Sequence, residues 1–177
     1  FKTVGVDTVF FEGNIFHNKT LEFSFSSKVT FNNNLFTYRD AVRIEVARDV
    51  YIIGNRWENM EVEGDFEEDF SGVYPIEDAM AEYDPPPDRD GISVVLNVTF
   101  LNNELGSQWG ATGDGVFIAE NNHIGGLNAN DFAEIYFSNN RVKVYIAIGE
   151  NEGDSSTVII ENNLLPEDLG QITCGGE

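Results

Sequence analysis

The chain has 177 residues, with 10 Lys and Arg against 31 Asp and Glu, and a formal net charge of -21 at pH 7. This length suits one domain, and 41% hydrophobic residues, including 14 Phe, supply a core and exclude wholesale disorder. Nucleic acid and anionic membrane surfaces repel so acidic a protein, and no apolar run in the sequence approaches the roughly 20 residues of a membrane span.

A short pattern recurs along the chain, beginning at Val9 and ending at Leu165. It reads apolar, any residue, apolar, any residue, Gly or Asn, Asn, any residue, apolar. Apart from one long step, the copies recur about every 20 residues, a period typical of solenoid proteins. The second position of the Gly/Asn-Asn pair is Asn14, Asn34, Asn55, Asn103, Asn122, Asn140 and Asn163.

Each copy predicts a strand followed by a sharp corner. Gly and Asn accept a positive φ more readily than other residues, and the alternating apolar positions before them are typical of a strand with one buried face. A second strand-like run precedes several copies, at Leu21–Phe25, Val42–Val46 and Ile92–Leu96. Strand, corner and strand in about 20 residues describe one coil of a parallel β-solenoid, with a β-sandwich containing Asn-rich hairpins as the alternative.

Stacked coils would bring equivalent residues into rows. The repeated asparagines would form a ladder in which each amide bonds to the coils above and below. The predicted internal row consists of Phe11, Phe31, Ile52, Phe100, Phe137 and Ile160.

The repeated Phe, Asn-Asn and apolar pattern resembles the coils of right-handed parallel β-helix proteins of the pectin-lyase-like superfamily. It resembles more loosely the Phe-x-x-Asn repeats of polymorphic surface adhesins. The resemblance covers about residues 8–165 and implies an all-β, right-handed parallel β-helix of about seven coils, in a single domain over residues 1–177. That superfamily includes polysaccharide lyases, hydrolases, epimerases, phage tailspikes and non-catalytic surface proteins, so the fold alone does not choose a function.

The long step between Asn55 and Asn103 predicts an acidic insertion at residues 58–90, within one coil. It contains Pro85–Pro87, which favour an extended polyproline segment. Its carboxylates predict a solvated surface, and Ca²⁺ binding by Asp65, Glu67, Glu68 and Asp69 is the alternative, so we assign no cofactor beyond that ion. The acidic residues are Glu61, Glu63, Asp65, Glu67, Glu68, Asp69, Glu77, Asp78, Glu82, Asp84, Asp88 and Asp90.

Four arginines beside the insertion are the candidates for chemistry: Arg39, Arg43, Arg48 and Arg56. The resemblance implies a basic residue that abstracts a proton in polysaccharide lyases, often with Ca²⁺. The alternative, which the charge balance favours, is that these arginines pair with surplus carboxylates. The signatures of polygalacturonases and epimerases are absent from the sequence, so we assign no catalytic residue.

Histidine and cysteine offer no metal site by their spacing. His17 and His123 occupy corner or loop positions of the repeat and have no second ligand nearby in the sequence, which favours structural roles. The single Cys174 cannot form an internal disulfide. The start at Phe1, where Met would be expected, favours a processed product or a fragment.

Two sequons, Asn18-Lys-Thr20 and Asn97-Val-Thr99, fall in predicted corners and are candidate glycosylation sites. They permit an extracellular location without establishing it, because about two sequons are expected by chance in a chain so rich in Asn.

These observations predict a non-catalytic, extracellular or cell-surface module with a structural, adhesive or filament-forming role. Its expected partner is itself or a larger polymer, reached through the solenoid ends. The alternative is a carbohydrate-active enzyme, a polysaccharide lyase or hydrolase or a fragment of one, with its site near the Arg39–Arg56 face. A third interpretation is polysaccharide binding by Trp57, Trp109 and Tyr38.

Overall fold

In the computed structural model, the described residues are 1–17, 20–37, 41–58, 71–74, 97–113, 115–149, 156–165 and 171–174. Their 16 strands pair in parallel within one sheet that winds into a β-solenoid. The sheet has three walls, here called A, B and C in the order in which the chain passes through them. The predicted all-β solenoid is therefore confirmed.

Wall A comes first in each coil. It contains β1 (Lys2–Val4), the first halves of β4 (Thr20–Asn32) and β6 (Ala41–Ile53), β8 (Ser71–Tyr74), the later parts of β10 (Glu104–Thr112), β12 (His123–Asn130) and β14 (Arg141–Gly149), and β16 (Gln171–Cys174).

Wall B follows and ends at the Gly/Asn-Asn corner. It contains β2 (Thr8–Glu12), the second halves of β4 and β6, β9 (Asn97–Leu101), β11 (Val116–Glu120), β13 (Glu134–Ser138) and β15 (Thr157–Glu161).

Wall C is the shortest and follows that corner. It contains β3 (Ile15–His17), β5 (Leu35–Thr37), β7 (Arg56–Glu58) and the first residues of β10, β12 and β14, and it closes with a bridge from Arg141 to Leu164.

The number of coils differs slightly from the predicted seven. The described residues complete about five turns, because the turns that contain residues 59–70, 75–96 and 150–155 are described only in part. Wall B nevertheless stacks seven paired strands, from β2 to β15.

The acidic insertion contains a wall strand that the sequence pattern did not predict. Ser71–Tyr74 pairs with β6 on one side and β10 on the other, so part of residues 58–90 belongs to the solenoid. We expected Ile92–Leu96 to fill this place because it lies just before the next repeat. Those residues lie outside the described ones, as do 59–70 and 75–91.

The corners adopt the predicted left-handed conformation, at the first residue of each Gly/Asn-Asn pair. The φ values lie between 52° and 66° at Gly13, Asn33, Gly54, Asn102, Asn121, Asn139 and Asn162. The second residue of each pair is then free to turn its amide into the ladder described below.

Two corner glycines differ in their surroundings, which allows a direct comparison. Both have a φ near +65°, where an L side chain costs about 1–2 kcal/mol. A Cβ on Gly13 would meet open space, whereas one on Gly54 would collide with the Oδ1 of Asn33. We therefore expect Gly54→Ala to lower the urea midpoint more than Gly13→Ala. Equal midpoints would contradict the packing of neighbouring corners.

The core consists of the inward rows of the walls. The predicted row from Phe11 to Ile160 is in register, and it also includes Ala119, which pairs with Phe100 and Phe137. The repeat pattern did not single out Ala119 because a single small residue carries little hydrophobic signal. Phe132 is buried from the corner that follows β12 and packs 5.3 Å from the ring of Phe117.

Candidate functional site

The seven repeated asparagines form a continuous ladder. In each step, the backbone N–H and the side-chain Nδ2 of one Asn both donate to the Oδ1 of the next. For Asn34 and Asn55, these N···O distances are 2.9 and 3.0 Å. The Nδ2 of Asn34 also donates to the carbonyl of Phe11 at 3.0 Å, so the amide ties its corner to two other coils.

The ladder has a direction, because in every bond between two of these asparagines the donor lies earlier in the chain than the acceptor. Asn14 at one end donates to Asn34, and among the described residues no group donates to the Oδ1 of Asn14. Asn34, Asn55, Asn103, Asn122 and Asn140 are buried, whereas Asn14 is exposed. The first coil therefore leaves an acceptor accessible at its edge.

The first coil also exposes apolar side chains. Ile15 is 73% exposed, Phe1 66% and Phe10 58%, and Val4 and Val6 are exposed as well. Among the described residues, β16 extends wall A one strand past β15, the last described strand of wall B.

The described backbone positions of the proposed arginine face lie on more than one wall. Arg43 lies on wall A, Arg48 follows it toward wall B, and Arg56 lies on wall C, because eight residues along a short coil carry the chain to another wall. Arg48 is 3.4 Å from Asp49, and Arg56 is 3.3 Å from Glu104. These two pairs match the prediction that arginines bind surplus carboxylates, while Arg39 lies outside the described residues.

The histidines occupy different coils of wall C. His17 is exposed, and its Nδ1 is 2.8 Å from the Oγ1 of Thr37. Because that hydroxyl donates to the Phe16 carbonyl, it accepts a hydrogen bond from His17, which favours the tautomer with its proton on Nδ1. His123 is half-buried, and desolvation, with help from Lys143 and Arg141, lowers its pKa below 6.5.

One outward row of wall C carries charges of both signs. Arg56, Glu104, His123 and Arg141 are register partners in successive strands, and the row ends at Leu164. The repeat pattern already brings these residues together, at its variable position after the second Asn, but we predicted only structural roles for that position. The signal available was Arg141-Val-Lys143, a pair of bases in a chain with few of them.

The predicted glycosylation site at Asn97 begins a strand, which corrects its expected place in a corner. The residue is half-buried as the first position of β9, and its Nδ2 donates to the Oδ1 of Asp49 at 2.7 Å. A glycan on that nitrogen would replace this hydrogen bond. Asn18 lies outside the described residues.

One of the three aromatic residues predicted to bind a polysaccharide is not at the surface. Trp109 is fully buried and packs edge to face on Phe100 at 5.3 Å, so it is a core residue. Tyr38 lies outside the described residues, and only the backbone of Trp57 is described.

Metal ligands do not gather in the described part of the chain. No three His, Cys, Asp or Glu residues among those described could hold one ion. The four carboxylates proposed for Ca²⁺, from Asp65 to Asp69, lie outside the described residues.

Comparison with known proteins does not identify a family for this chain. No family model, curated protein or solved structure matches the chain. Within the residues that the structure describes, no helix has the length and apolar character needed to cross a membrane. A proposal for function therefore rests on the chemistry of the surfaces described above.

Proposed function

We propose that this protein is a non-catalytic β-solenoid module, extracellular or at the cell surface, with a structural, adhesive or filament-forming role. We also propose that the protein is related to right-handed parallel β-helix proteins of the pectin-lyase-like superfamily and, more loosely, to surface adhesins. Its partner is a second copy or a larger polymer that contacts the solenoid end.

The observation that carries the proposal is the surface of the first coil. The strands β1, β2 and β3 each pair with a strand on one side only among the described residues, so their outer edges offer backbone groups for pairing. Exposed Phe1, Phe10 and Ile15 and the accessible Oδ1 of Asn14 lie in the same coil. Pairing at this edge would bury apolar surface and satisfy polar groups in a single contact.

Charge opposes this contact and makes it dependent on ions. Two copies with a net charge of -21 repel each other, and salt or divalent cations screen this repulsion. We therefore expect association to increase at high salt or with millimolar Ca²⁺. The measurement is sedimentation velocity over a range of protein concentrations, and a strictly monomeric species in every condition would reject the proposal.

A matched pair of variants locates the contact. Ile15→Lys places a charge in the exposed first coil and should shift the protein toward monomer. Val144→Lys adds the same charge at an exposed position, 41% accessible, on the side of the solenoid, and should leave association unchanged.

The enzymatic alternative is tested by incubation with anionic polysaccharides, with and without Ca²⁺. Turnover that disappears in Arg43→Ala would overturn the non-catalytic proposal. The placement of Arg43 on wall A and Arg56 on wall C favours the absence of turnover.

A further inference from the structure

Exposed apolar side chains gather at both ends of the described stack. The strand β15 and residues 162–165, here called the end coil, are the last described parts of walls B and C. Eight large hydrophobic side chains are exposed among the described residues, and all except Val144 lie in the first coil or in the end coil. Exposed apolar surface confined to two places indicates contact with another chain at those places.

The exposed residues of the two coils occupy the same rows. The register of wall B runs from Phe10 through every strand of that wall to Ile159. The register of wall C runs in the same way from Ile15 to Leu164. If the first coil of a second copy continued the stack beyond the end coil, each exposed apolar side chain would meet another.

An inward row is also uncovered at both ends. Phe11 and Ile160 are half-buried and stand at the two ends of one row, whereas Phe31, Phe100 and Phe137 between them are buried. Continued stacking would place Phe11 of one copy on Ile160 of another and remove apolar surface of both from water. The core would then run on from copy to copy.

The Asn ladder decides which ends can meet. At the first coil it presents the Oδ1 of Asn14, and at the end coil it presents the backbone N–H of Asn163, which has no acceptor among the described residues. The Nδ2 of Asn163 donates to the Phe137 carbonyl at 2.9 Å, as the Nδ2 of Asn140 does to its own carbonyl partner. Two first coils would place acceptor against acceptor, whereas an end coil against a first coil places a donor against an acceptor.

We propose that self-association is polar: the end coil of one copy stacks on the first coil of the next, and Asn163 donates to Asn14 across the contact. This inference rests on the self-association proposed above and adds which surfaces meet. A contact between two different surfaces of a straight stack does not close on itself, so it builds a polymer and not a dimer.

One row places like charges at this contact. Glu12 and Glu161 are exposed and stand at the two ends of the row of wall B that precedes the corners. Continued stacking would bring Glu161 of one copy beside Glu12 of the next, at the strand spacing of about 4.8 Å. No two acidic residues are neighbours elsewhere in that row, which consists of Glu12, Asn32, Ile53, Leu101, Glu120, Ser138 and Glu161. This pair gives the contact a local dependence on salt.

Wall A adds a condition. The strand β16 pairs with β14, on the edge where β1 of the next copy would lie. We expect β16 to leave that edge, because Phe1 holds β1 to its own copy through the rings of Phe11 and Phe23, at 6.1 and 6.0 Å. Replacing both Ile172 and Thr173 by Pro removes two consecutive backbone donors of β16, one of which faces β14. This double variant should associate more strongly than the parent chain.

The test is sedimentation velocity of charge-reversal variants at low salt without Ca²⁺. Glu12→Lys and Glu161→Lys should each strengthen association about two- to ten-fold, because a like-charge pair becomes an opposite-charge pair. The double variant should lose this gain, because two lysines then meet, although its net charge is the least negative of the three. Glu120→Lys is the control, since it makes the same change of charge in the same row, away from both ends.

The outcomes distinguish this inference from self-association itself. If the parent chain associates at high salt but Glu161→Lys gains no more than Glu120→Lys, self-association stands and the polar contact is overturned. A double charge reversal that associates more strongly than either single variant, a limiting dimer at high concentration, or weaker association of the proline variant would also overturn it. If no variant associates in any condition, the proposed self-association fails and this inference fails with it.

Discussion

Replacement of Phe31 by alanine should lower the free energy of unfolding by about 3–5 kcal/mol, because it opens a cavity between coils. The ring is 1% exposed and stacks on Phe11 at a centroid distance of 5.3 Å. It also packs against Phe23 at 5.6 Å, Phe36 at 6.0 Å and Phe16 at 6.4 Å, so four other rings lose a partner. Chemical denaturation with urea measures the change.

Phe10→Ala is the matched control. Phe10 and Phe11 are consecutive in β2, yet Phe10 points outward and is 58% exposed. Its loss should change stability by about 0.5 kcal/mol or less, as is usual at the surface. A Phe31→Ala variant as stable as Phe10→Ala would show that the aromatic row does not form the core.

The second large effect concerns the ladder. Asn34→Ala removes an acceptor that receives two hydrogen bonds from Asn14, and it removes two bonds donated by Nδ2, to Asn55 and Phe11. Buried groups left without a partner cost about 1–3 kcal/mol. We expect the urea midpoint to fall by a corresponding amount.

Two controls separate the ladder from the general effect of losing an Asn side chain. Asn14→Ala removes only the bonds that Nδ2 of Asn14 donates to Asn34 and to the Glu12 carbonyl, at an exposed position, and should cost less. Asn128→Ala changes a half-buried residue of wall A that lies outside the ladder. Equal midpoints for Asn34→Ala and Asn128→Ala would contradict a stabilising ladder.

The features that follow from local chemistry were predictable. Gly or Asn occupies the left-handed position in every Gly/Asn-Asn corner, as at Gly13, Asn33 and Gly54, so these corners are recognisable in the sequence. The residue that stacks on each corner lies one coil away in the chain, and the regular period of the repeat shows which residue that is. The ladder and the inward row around Phe31 both follow from this period.

The departures come from residues whose environment depends on contacts between coils. Ser71–Tyr74 has no corner signal and is recognised as a strand only by its pairing with β6 and β10. From the sequence alone, Trp109 could lie at the surface or in the core, and its contact with Phe100 shows that it belongs to the core. Sequence alone cannot tell such cases apart, because the deciding neighbour lies in another repeat.

The sequence by itself determined the architecture of this protein, since the conformational demands of each corner and the alternation of each strand are encoded within a few residues. The tertiary structure alone decided which surface residues meet. It placed Arg43 on wall A and Arg56 on wall C, and it brought Asn97 into contact with Asp49 of another coil. The reason is geometric: in a solenoid, a few residues along the chain change the wall, while one full coil returns the chain to the same wall about 4.8 Å away.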